Sequence, residues 1–100
     1  MEIYISESVA NKLREKHSVS EQEVLECFQN AQPTFILDDR PEHRTTPPTV
    51  WFIAHTNNGR LLKIVFINAS SYKIVKSAYP PSNQTIRLYI RFRTRQIYRE

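Results

Sequence analysis

Hydrophobic positions along the first third of the chain recur at helical spacing. Ile3 and Ile5 alternate with polar neighbours, which predicts a short extended start over Glu2–Ile5. Val9, Leu13 and His17 then follow one another at intervals of four, with Ala10 beside them, so 7–17 read as an amphipathic helix. Ser6 stands where a hydroxyl accepts from the free amides of a first turn. Ser20 and Glu23 form a Ser-x-x-Glu capping box, in which each side chain satisfies a backbone amide of a second helix. Val24, Leu25, Phe28 and Ala31 mark its apolar stripe, and Pro33 stops it at about Gln32.

From Thr34 the period shortens. Thr34–Asp38 is a brief β-rich run, and Asp39–Pro48 is a polar loop with three prolines, too prolyl for a central strand. Thr49–Thr56 (TVWFIAHT) and Leu61–Asn68 (LLKIVFIN) read as strands, joined by a turn in which Asn58-Gly59 tolerates positive φ and suits a tight hairpin. After Ala69–Ser71, Tyr72–Tyr79 (YKIVKSAY) returns as a further strand and Pro80-Pro81 ends it. The expected centre is an antiparallel meander of three to four strands. Two periods compete in the last segment. Ile86, Tyr89, Ile90, Arg93 and Ile97 fit a helix over 83–97, whereas Ile86, Leu88, Ile90 and Phe92 alternate as in a strand.

One hundred residues, 40% of them hydrophobic, make one domain with a small core. No apolar run approaches the roughly 20 residues of a membrane span, and the opening MEIYISES lacks the basic start and apolar stretch of a secretory signal. The lone Cys27 has no partner for a disulfide within the chain. A cytoplasmic protein is expected, without membrane association, cofactor or metal. A single glycine excludes the glycine-rich nucleotide-binding fingerprints. Charge is more telling: 1–50 hold five basic and nine acidic residues, a net of −4, and 51–100 hold nine basic residues against one acidic, a net of +8. One strongly basic half suits a polyanion such as RNA, although lysine and arginine also serve solubility.

The candidate chemistry lies in that basic half. No serine–histidine–acid motif stands out, and His17, His43 and His55 fall on three different elements, unlike metal ligands. The acidic residues do not resemble a cluster prepared for two metal ions. Arg44 in the loop, Arg60 in the hairpin and Lys63, Lys73 and Lys76 on strands form a basic set on or beside the sheet. Cleaving RNA through its own 2′-hydroxyl needs only cations on the phosphate and groups that move protons. Arginine suits the first task; His43, Tyr79, Glu42 or a lysine suits the second. Alternation alone also puts charge on an exposed sheet face.

The order and spacing of Lys16-His17-Ser18-Val19-Ser20, Asp38-Asp39, Glu42-His43-Arg44, Gly59 to Phe66 and Ile74-Val75-Lys76-Ser77-Ala78 resemble the BrnT family of bacterial type II toxins, small ribonucleases of the RelE-like superfamily. The resemblance covers about 10–80. It implies an α+β fold with two N-terminal helices packed on an antiparallel sheet and a closing C-terminal helix. It also implies metal-independent cleavage of RNA and a partner antitoxin, of the ribbon-helix-helix type, that blocks the activity. Carried over by position, Lys16 and His17 are the family's helix-end pair, Glu42 and Arg44 its charged pair, Arg60 its turn cation, and Lys76 and Ser77 its penultimate-strand positions. Arg44, Arg60 and Lys76 are then expected to converge on one phosphate, with His43 or Tyr79 relaying protons. Lys16, His17, Lys63, Lys73, Ser77, Arg87 and Arg91 are the expected RNA-binding set. Two positions depart from the family: Ser18 replaces a common glycine, and Tyr79 follows Ser77-Ala78 where the family has arginine. The alternative is a catalytically inactive module of the same fold that binds nucleic acid or protein.

Overall fold

A computed structural model describes residues 2–38, 47–69 and 71–98, with side chains through 94. The elements run β1 (Glu2–Tyr4), α1 (Glu7–His17), α2 (Glu21–Gln29), β2 (Ile36–Leu37), β3 (Thr49–His55), β4 (Leu61–Asn68), β5 (Tyr72–Tyr79) and α3 (Asn83–Tyr98). The fold is α+β, as expected. Its five strands lie in the order β1-β5-β4-β3-β2. Strands β2 to β5 pair antiparallel, while β1 runs parallel to β5 with Glu2 opposite Tyr72. The sheet is therefore mixed, a feature that strand periodicity does not encode.

Local signals set both helices. The Ser6 hydroxyl accepts from the Val9 amide at 3.2 Å, and Ser20 and Glu23 close their reciprocal box at 3.1 and 3.0 Å. Helix α2 ends at Gln29 rather than near Gln32. There Asn30 donates through Nδ2 to the His55 carbonyl and to Asn57 Oδ1, and this tie to the hairpin draws the chain off the helix.

Two helices cover one sheet face. Phe28 of α2 packs edge-on against Phe52 and Phe66 at 5.0 and 5.4 Å between ring centroids. Leu13, Val24, Cys27, Leu62, Ile64, Val75 and Ala78 close the same core. Helix α3 lies on the opposite face, where Tyr89 meets Trp51 at 5.9 Å. Strand β3 is buried on both sides in consequence, and its four residues Trp51 to Ala54 are all buried. The helical period thus prevails in the last segment: Tyr89 is buried, Ile86 and Phe92 are partly buried, and Leu88 and Ile90 are exposed. The Ser82 hydroxyl caps this helix by accepting from the Thr85 amide at 3.1 Å.

The β3–β4 connection differs from a two-residue turn. Thr56 and Arg60 bond across it at 2.8 Å, and Gly59 has φ 84 while Asn58 is not left-handed. This is a three-residue loop whose last residue takes the left-handed position that glycine occupies without cost. On β5, Ser77 faces Val65 while Val75 faces Phe66. Lys76 is left over as a bulge, which turns its side chain outward.

Candidate nucleic-acid interface

The arginine of the hairpin belongs to the scaffold. Arg60 Nη1 donates to the Ser18 carbonyl at 2.7 Å and to both oxygens of Glu23 at 3.2 Å, and its Nη2 donates to the His17 carbonyl at 3.0 Å. Those carbonyls are orphan acceptors at the end of α1. Glu23 sits in the first turn of α2, where a carboxylate is favoured. One guanidinium therefore ties two helix ends to the hairpin. The Ser20 backbone bond and then Arg60 hold the Glu23 carboxyl below the usual carboxylate range, against some loss of hydration. Beside this clamp Ser18 adopts φ 53, a left-handed turn that returns the Ser18 and Val19 amides to α1 carbonyls.

The expected trio is not assembled. Arg44, with His43 and Glu42, lies outside the described residues. Lys76 stands opposite Val65 and Phe66, five or more residues along the strands from Arg60, roughly 17 Å. With Arg60 bonded into the helix ends, these two cations do not share one phosphate.

A different group does come together, on the face that α3 covers only in part. In register, Lys63 faces Tyr79 on β5 and Ile53 on β3. Its Nζ lies 4.5 Å from the Trp51 ring centroid and 5.6 Å from that of Tyr79. Beyond Tyr79, at the end of α1, the His17 ring stands 5.4 Å away. The result is a row, His17–Tyr79–Lys63–Trp51–Tyr89. Trp51 and Tyr89 are buried, so they form its floor, while His17, Tyr79 and Lys63 are half-exposed. Ser77, two residues before Tyr79 on the same face, borders it. No carboxylate among the described residues pairs with Lys63; ring faces hold its ammonium, which keeps its charge available to an anion.

The other expected RNA contacts are dispersed. Lys16 is exposed on the last turn of α1. Lys73 bonds to Asn68 and lies over the Phe66 ring on the side of the helix pair. Arg87 and Arg91 are exposed along the outer side of α3. Sequence reasoning missed Trp51, Tyr89 and Glu23 as partners of the basic residues. Trp51 lies in an unbroken apolar run with no alternation to reveal its face. The Tyr89 hydroxyl donates to the Thr34 carbonyl at 2.7 Å. Burial raises its pKa, opposed by the Ile53 backbone and the charge of Arg93. Cys27, fully buried against the Ala54 carbonyl, has its thiol pushed up to about 12 by burial and then by the nearby Glu23 and Glu26, and is no nucleophile.

No protein-family model matches the chain, and no curated protein matches it.

Proposed function

We propose that this protein binds RNA on the half-covered sheet face and cleaves it without metal, as the cytoplasmic toxin of a type II toxin–antitoxin pair whose antitoxin is a ribbon-helix-helix protein. The observation that carries the reading is the Lys63 ammonium held between Trp51 and Tyr79, with the His17 ring beyond. It is supported by the net +8 of 51–100 and by the family resemblance. Lys63 balances charge developing on the phosphate oxygens. His17, whose ring stands beside Tyr79, takes the proton of the attacking 2′-hydroxyl as general base. The new O–P bond closes a 2′,3′-cyclic phosphate, the P–O5′ bond breaks, and the Tyr79 hydroxyl supplies the proton to the departing 5′-oxygen. Lys16 and Lys76, both exposed, add positive charge for the RNA backbone.

The test is incubation of purified protein with RNA in chelator. Fragments ending in cyclic phosphate are expected, with cleavage slowed by about 10² or more in His17→Ala and Tyr79→Phe, and none where the scissile nucleotide is 2′-deoxy. RNA left intact at micromolar protein overturns the nuclease. The engagement of Arg60 in the scaffold favours one second reading, an inactive module of the same fold. Its signature is intact RNA bound with an affinity that falls steeply with salt.

A further inference from the structure

Next to Lys63 the same face opens into a cleft of about 370 Å³ between α3, the hairpin end of β3 and β4, and the chain leaving α2. We propose that this cleft is a base pocket that selects adenine in the bound strand, an inference that rests on the RNA-binding reading above.

The walls are built for a flat apolar ligand. Ile53 and Leu61 come from the sheet, Ile86 and the buried Tyr89 from α3. The volume is near the lower end, about 300 Å³, of small-molecule sites, which suits one base with its sugar rather than a dinucleotide. The rim supplies hydrogen-bonding groups suited to single-stranded RNA, whose bases are read on their edges once splayed out. Gln32, exposed at the mouth, offers a donor and an acceptor in one plane, the pair that matches N7 and the N6 amine of adenine. Asn30 lines the cleft and has both amide hydrogens engaged by the His55 carbonyl and Asn57 Oδ1, so its side chain has only an acceptor left to offer a ligand. An acceptor welcomes the adenine amine and repels the O6 of guanine. Arg93, half-buried on α3, lies on the same rim with its planar fork for a phosphate.

Position joins the cleft to the row. Leu61 and Lys63 share one face of β4, two residues or about 7 Å apart, a step that one nucleotide bridges. Ile53 is the cross-strand neighbour of Lys63. A base seated against Leu61 and Tyr89 thus has its phosphate beside the ammonium.

Labelled deoxyadenosine and thymidine hexamers, which 2′-hydroxyl chemistry cannot cut, test this on the intact protein by fluorescence anisotropy at fixed salt. The adenine hexamer is expected to bind about tenfold more tightly. In Gln32→Ala, an exposed position that folding tolerates, the preference falls to about threefold or less. In Arg93→Ala both hexamers weaken together. Filling the cleft with Ile86→Trp removes the preference while circular dichroism reports an intact fold. Equal binding of the two hexamers overturns the pocket and leaves RNA binding standing. Failure of both hexamers to bind overturns the pocket, and the RNA reading falls with it only where an adenine RNA hexamer also fails to bind. Adenosine monophosphate binding as tightly as the hexamer overturns the placement of the site on a nucleic-acid strand.

Discussion

Arg60 and Lys63 lie three residues apart on one hairpin, and their surroundings could hardly differ more. Arg60 meets two helix-end carbonyls and the Glu23 carboxylate, which consume its charge and its fork. Lys63 meets ring faces on both sides. A ring attracts the ammonium without neutralising it, so the positive charge stays open to an incoming anion. The role of a basic residue is thus set by what the fold places opposite it rather than by its spacing in the chain.

The comparison breaks most forcefully at Arg60. Arg60→Ala leaves two helix-end carbonyls and Glu23 without their cation, a loss of about 2 kcal/mol, or roughly 10 °C in the thermal midpoint of a domain of this size. RNA binding by the folded fraction is expected to persist. The same variant changes the acid limb of stability. The contribution of Glu23 is present above about pH 4.3, where an unfolded glutamate is ionised, and is lost as pH falls through the lower folded value. Denaturant titrations between pH 3 and 6, roughly the span of ordinary carboxylate titration, should show a shallower acid dependence in Arg60→Ala, with the share owed to the Ser20 backbone bond retained.

Lys63→Ala sharpens the contrast from the other side. Stability is expected to fall by no more than about 1 kcal/mol, the scale of a half-exposed cation–ring contact. RNA affinity should drop about tenfold, with the salt slope reduced by about one. If Lys63→Ala unfolds the protein and Arg60→Ala abolishes RNA binding, the two roles are reversed. The smallest effect is a gain. Ser18→Gly relieves a left-handed serine beside the clamp, worth about 1 kcal/mol of added stability with RNA binding unchanged, as a denaturant midpoint and an anisotropy titration together report.

Most of the scaffold was legible in the residues. Capping hydroxyls at Ser6 and Ser20 act within one turn of the chain, so their signals survive into the fold. The alternation of β4 is visible because helices pack its two faces unequally. The last segment carried two periods, and the burial of Tyr89 beneath Trp51 decides for the helix. Much less of the site could be read. The partners of Arg60 stand 37 to 43 positions away, and those of Lys63 depend on which face of β3 bears Trp51. The bulge that turns Lys76 outward is a mismatch of register between two strands, a property of the pair that neither strand announces.

The parallel edge carries a consequence for synthesis. Glu2 finds its neighbour at Tyr72, seventy positions on. Strand β1 therefore waits, while α1 and α2 can coil as soon as they leave the ribosome. Strand β5 reaches β4 through a short connection and settles first, since closing a long loop is entropically slower. The strand that comes first in this sequence then zips onto a finished edge, so it is among the last elements to take its place.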